Sequence, residues 1–95
     1  MNVSNPGPRF KDPQETKDFG VDWTTPLDQI PDTISSSTWT LTGTITSVAT
    51  SNTTKTTSIR IAGGVAGEDC TVTNHVVLAG GQQWEVSFTL RVLQQ

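Results

Sequence analysis

Few residues of this chain could do chemistry, and none has the company that its chemistry needs. His75 is the single histidine and Cys70 the single cysteine. A metal site or a nucleophile–base pair needs a second ligand or a general base within reach. Residues 70–77 alternate polar and apolar, which places His75 on an outer face with Thr71, Thr73 and Val77. His75 is therefore read as an ordinary surface or interface histidine. Cys70 falls on the inner face beside Val72, where a thiol is a small buried hydrophobe rather than an activated nucleophile. Asp12, Glu15, Asp18 and Asp22 cluster in the first quarter of the chain, but their spacing is not that of a calcium-binding loop. They read as solvated carboxylates. Three tryptophans remain. Trp39 is in phase with Leu41, and Trp84 with Val86 and Phe88, so both read as core anchors; Trp23 alone is free to stack on a sugar ring. The pairs Gly63-Gly64 and Gly80-Gly81 precede no helix start and read as turns, not phosphate cradles. No catalytic residue, metal ligand or cofactor is expected.

The elements that must position these residues are strands. Ser58 to Ile61, Cys70 to Asn74 and Trp84 to Val92 each alternate with a period of two, so each buries one face and wets the other. Upstream, residues 37–45 form a further strand with Trp39, Leu41 and Ile45 inward, interrupted at Gly43 by a bulge or a close sheet approach. A short strand over 21–25 ends at Pro26, and residues 27–32 form a loop with at most one helical turn. An edge strand starts near residue 47, and the strand over 55–62 points Ile59 and Ile61 inward. The glycine-rich bend over 63–69 resembles the crossover between sheets in immunoglobulin-like domains. Those domains often place a tyrosine just beyond it; here Cys70 stands there, and the chain has no tyrosine. Residues 78–83 turn a hairpin. The fold class is all-β: an immunoglobulin-like antiparallel β-sandwich over 21–95, preceded by an extended N-terminal arm over 1–20. Its core anchors are Trp39, Leu41, Ile59, Ile61, Val72, Trp84, Val86, Phe88 and Leu90. The arm carries prolines and two aromatics, Phe10 and Phe19, which pack either along its own sandwich or on a neighbour, and its deletion is expected to leave the sandwich folded.

Composition narrows the function classes. Ninety-five residues make one modest domain, and an apolar fraction of 33% gives it a thin core that suits a subunit with neighbours. The net charge is −3 with no basic run, so no nucleic-acid partner is expected. No apolar stretch reaches membrane-spanning length and no signal-peptide core opens the chain, which reads as soluble and made in a cytoplasm. One cysteine leaves no internal disulfide.

Three stretches together resemble a family of small tailed-bacteriophage virion proteins, the fibre–tail adaptors. The first is Phe10-Lys11-Asp12-Pro13 with Glu15, Asp18, Phe19, Asp22 and Trp23. The second is Asp32-Thr33-Ile34 with Ser37 and Trp39. The third joins Cys70-Thr71-Val72-Thr73-Asn74, the Ala79-Gly80-Gly81 turn and Ser87 to Val92. The resemblance implies a non-enzymatic immunoglobulin-like virion protein in the tail or neck. It also implies partners among other tail or neck proteins and the tail fibres, and repetition as a homo-oligomeric ring. No catalytic residue carries over. Phe10, Lys11, Asp12, Pro13, Phe19, Asp22 and Trp23 are the residues expected to mediate packing between subunits. The alternative is a carbohydrate-binding or adhesion module of the same fold, which requires Trp23 to be exposed.

Overall fold

Strands rich in Thr, Val and Ile alternate in and out along most of the chain, and short glycine-bearing turns separate them. The computed structural model describes residues 9–93. Seven strands and one short helix follow in order: β1 (Arg9–Lys11), β2 (Lys17–Asp22), α1 (Thr24–Gln29), β3 (Ile34–Leu41), β4 (Ile45–Asn52), β5 (Thr56–Gly63), β6 (Asp69–Leu78) and β7 (Gln83–Val92). They form a four-stranded sheet ordered β1-β7-β6-β3 and a three-stranded sheet ordered β2-β5-β4. The third, sixth and seventh strands share one sheet and the second, fourth and fifth the other, as in an immunoglobulin sandwich. The first strand departs from that plan. It lies on the β7 edge, parallel to it, with Arg9 opposite Leu90 and Lys11 opposite Val92. Every other pairing is antiparallel.

Two apolar clusters fill the space between the sheets. Phe19, Ile45, Ile59, Ile61, Cys70, Val72, Phe88, Leu90 and Val92 form one; Val21, Trp23, Leu27, Ile34, Val76, Leu78 and Val86 form the other. Trp39 packs against both. Of the expected anchors, Ile59, Ile61, Val72, Val86, Phe88 and Leu90 are buried. Trp39, Leu41 and Trp84 are only half-buried, because β3 and β7 run along sheet margins for much of their length. Each fully buried aliphatic side chain contributes roughly 1.5–3 kcal/mol relative to exposure.

Three boundaries differ from the sequence reading. The sandwich does not begin at residue 21: β1 and most of β2 lie within residues 9–20 and are hydrogen-bonded into the two sheets. Extended backbone with unsatisfied amides and an inward Phe19 is more stable inside the ladder than along it. The strand over 37–45 is two strands. Gly43, at φ +80°, reverses the chain between them, and Ile45 opens β4 in the opposite sheet. A side chain there would also meet Cys70 Sγ at 2.7 Å. Finally, the strand expected over 21–25 and ended by Pro26 is instead the end of β2, which stops at Asp22, and the start of α1; Pro26 sits in the first turn of that helix, where the missing N–H costs nothing.

Candidate functional site

The residues expected to carry subunit contacts occupy β1, the turn after it, β2 and Trp23. In β1 the inward position belongs to Lys11, fully buried at 0% exposure. Its ammonium donates to the carbonyl of Gly63 at 2.6 Å and to that of Asp12 at 2.9 Å. Its own carbonyl accepts from Leu93 N–H at 2.8 Å. Asp12-Pro13-Gln14-Glu15 then makes a β-turn: Glu15 N–H reaches Asp12 O at 3.0 Å, with proline in the second position. The Asp12 carboxylate accepts from Gln14 N–H at 2.8 Å, and the Glu15 carboxylate from Asp12 N–H at 2.9 Å.

In β2 the alternation sends Phe19 and Val21 inward and Asp18 and Asp22 outward. Phe19 tilts against Phe88, ring centroids 6.0 Å apart. Asp18 faces Arg60 across the β2–β5 pair in a two-bond fork of 2.8 and 3.2 Å, and this contact holds its carboxyl below the ordinary aspartate range. Asp22 accepts from the hydroxyl and the N–H of Thr24, which lower its pKa in that order and tie the start of α1. The four early carboxylates are thus engaged separately. Among the described residues no group of three or more His, Cys, Asp or Glu side chains could hold a metal ion.

Trp23 is 0% exposed. Its indole N–H donates to Asn74 Oδ1 at 3.1 Å and lies 3.4 Å from Thr57 Oγ1, and its ring packs on Trp84 at 6.0 Å. A tryptophan closed in this way offers no face to a sugar, which removes the carbohydrate-binding reading that depended on it. Lys11 and Phe19 are likewise enclosed within their own sandwich. Of the seven expected contact residues, Phe10, Asp12, Pro13 and Asp22 retain exposure. They do not form one patch. Phe10, 45% exposed, lies on the outer face of the four-stranded sheet opposite Arg91. Asp12 and Pro13 lie at the end where β7 finishes, and Asp22 lies at the other end of the three-stranded sheet. An open cleft of about 410 Å³ lined by Arg9, Phe10, Lys17, Asp18, Phe19 and Gly20 runs between β1 and β2.

The remaining titratable groups offer no reactive pair. Cys70 is buried and hydrogen-bonded to Glu68; burial, then that carboxylate, pushes its thiol up to about 11. His75 sits 3.0 Å from Gln83 Oε1 and 3.4 Å from Glu85 Oε2 on the sheet surface.

A scan against protein families matches residues 11–91 to podophage GP4 fiber-tail adaptor protein gp77. The chain belongs to this family of phage fibre–tail adaptors. The match runs from the last residue of β1 to the penultimate residue of β7, so it takes in β2 to β6 whole. Among curated proteins nothing matches the chain. No described helix of the adaptor is long and apolar enough to cross a membrane.

Sequence reasoning missed the buried polar centre of the adaptor. Asn74 is 0% exposed and joins both sheets. Its Oδ1 accepts from Trp23 and Thr57, while its Nδ2 donates to Ser37 Oγ at 2.9 Å and Thr38 O at 3.1 Å. The signal was available: Asn74 falls in phase with Cys70 and Val72, where an amide must find partners.

Proposed function

We propose that this adaptor is a non-enzymatic structural subunit of a phage virion, joining the tail or neck to the fibres through subunit–subunit contacts. The reading rests on one observation, the family match over residues 11–91. The chemistry agrees with it: the buried Cys70 thiol is pushed up by burial and by Glu68 and not activated, and His75 lies apart from it on the sheet surface beside Gln83 and Glu85. Partners are then other tail or neck proteins and the fibres, with the chain repeated in a ring in the virion and synthesised in the host cytoplasm. The exposed members of the early segment, Phe10, Asp12, Pro13 and Asp22, supply contact surface, while Lys11, Phe19 and Trp23 hold that segment in shape.

The test is the protein content of purified virions, by mass spectrometry of whole particles and of detached tails. Recovery of the chain with the tail at a fixed ratio to fibre protein supports the reading. Its absence from particles that carry fibres would falsify it.

A further inference from the structure

Three expected core anchors, Trp39, Leu41 and Trp84, are only half-buried in the single chain, and all three lie at open margins of the four-stranded sheet. β3 pairs with β6 on one side alone, and β7 meets β1 only over Leu90–Val92. Among the described residues, Gln83 to Phe88 of β7 therefore have no partner strand on the β1 side. The β3 margin carries neither charge nor proline, the ordinary guards of an exposed strand, and residues 33–54 contain no Asp, Glu, Lys, Arg or His. β4, the margin of the other sheet on this flank, is guarded by the register shift between Ser47 and Ala49.

The two open margins match each other. Through their common partner β6, Ser37 lies level with Trp84, Trp39 with Val86 and Leu41 with Phe88. Both strands run antiparallel to β6, so they share one direction. Their amides also agree. The Thr42 N–H is bonded to Thr71 O in β6, so by alternation Trp39 and Leu41 turn their backbone groups to the open side. The Leu93 N–H is bonded to Lys11 O on the β1 side, so Glu85 and Ser87 of β7 turn theirs that way too. Trp39 of one copy then fits between Glu85 and Ser87 of another, as a parallel ladder requires.

We propose that the β3 margin of one copy pairs in parallel with the β7 margin of the next, on the stretch that β1 leaves open, with Trp39 opposite Val86. The occupant is a second copy because the two margins complement each other, in height, direction, pleat and amide orientation, and not themselves. A copy set alongside without being turned over presents β3 to β7 at the same level. The contact is heterologous, so its repetition closes a ring and not a two-fold pair. The inference rests on the adaptor reading, in which the chain repeats as a ring, and names one contact within it. β1 supplies the precedent, since it already pairs with this margin in parallel. On assembly Trp39 and Leu41 pack beside Val86 and Phe88 of the next copy, and Trp84 is covered by Ser37. Six paired residues span roughly 20 Å, a contact smaller than the ~800 Å² per partner of a standard interface. Free copies therefore associate weakly, and the closed ring sums many such contacts.

The test is disulfide trapping in the full chain with Thr40→Cys and Ser87→Cys combined, oxidised over a concentration range and sized on non-reducing gels. Thr40 and Ser87 flank Thr73 from opposite sides, ~10 Å apart within one chain and beyond the ~7 Å that a disulfide spans. In the proposed register they are direct neighbours between copies. The natural chain, whose one cysteine is buried, serves as the blank. The expected result is a ladder of covalent multimers from the double variant and monomer from either single variant. Adding Glu85→Pro removes an amide at the open margin and no ladder bond to β6, and lowers trapping at least ~10-fold; thermal melts check that it folds. A double variant that stays monomeric throughout leaves the β7 margin to another occupant, the chain's own residues 1–8 included, and overturns the contact. Single variants that dimerise as readily indicate a two-fold pairing and overturn it as well. Purified virions separate the two readings. Tails without the chain, when the isolated double variant is trapped, reject the adaptor role and keep the contact; tails that hold it untrapped after oxidation reject the contact and keep the role.

Discussion

Two tryptophans of this sandwich carry the same donor and use it differently. The Trp23 N–H is bound to Asn74, whereas the Trp39 N–H is buried with no partner in the described structure. Replacing either by Phe removes an indole donor and some ring volume. Only at position 23 does the change strip a hydrogen bond from a buried amide, whose loss costs about 1–3 kcal/mol beyond packing. Trp23→Phe is therefore expected to lower unfolding free energy by roughly 2–4 kcal/mol and Trp39→Phe by under about 1.5 kcal/mol, read from urea titrations. Equal losses would mean that the Asn74 centre contributes packing alone. Ionisation gives a second expectation at this scale. Asp18 and Asp69 are held below the ordinary value of 3.8 by Arg60 and Arg91, and Glu68 below 4.5 by the Thr44 hydroxyl and then the Cys70 thiol. Their contribution is whole above those ordinary values and disappears as pH falls through the lowered ones. Cys70 has the opposite sign: raised from 9.0 to about 11, it favours the fold below the ordinary value and loses that effect as pH climbs toward the upper one. The urea midpoint should be flat through neutral pH and decline on both flanks, the acid decline shrinking with added salt because the carboxylates are exposed. A native thiol that reacts with maleimide at neutral pH as fast as in denaturant would contradict the enclosure of Cys70.

At the level of elements, the informative failure of sequence reading is the early segment. Its prolines and charges hide a period of two that is only three residues long in β1 and interrupted by a turn before β2. A buried lysine completes the disguise, since Lys11 looks like a solvent residue until Gly63 O is found above it. Nothing local announces that partner, which lies fifty-two positions away. The later strands were legible because their alternation is long and unbroken: β6 and β7 bury every second residue over most of ten positions. Gly43 was legible as a special residue but not as a reversal, because turn and bulge make the same demand on φ. The expectation for truncation changes with the structure. Removing residues 1–20 deletes β1, the Lys11 bonds and Phe19, so the cooperative thermal transition should be lost or fall by more than ~10 °C, given that ~1 kcal/mol moves a domain of this size by about 4–8 °C. A truncated chain that melts like the parent would restore the early segment to the status of an appendage.

Considered as a whole, the molecule divides its surface by charge. The flank made by β1 and β2 carries ions of both signs, and three of the charged pairs of the sandwich are exposed: Asp18 with Arg60, Asp69 with Arg91 and Asp28 with Lys55. Such pairs add little stability. The composition of each flank is read from the sequence, but only the strand order puts β3 and β4 on one side, because β3 pairs with the distant β6 while β4 pairs with the β5 that follows it.

The parallel pairing of first and last strands has a mechanical consequence. Because β1 runs parallel to β7, its first residue Arg9 lies on the side of the β6–β7 hairpin, while β7 ends at Val92 at the opposite end. Tension between the two ends therefore slides β1 along β7 instead of peeling it away. The ladder bonds of β1 with β7 are loaded in shear together, and the Lys11 contact to Gly63 adds a further tie. If the chain joins tail to fibres as proposed, the strand that the sequence reading placed in an extended arm is the latch that resists traction.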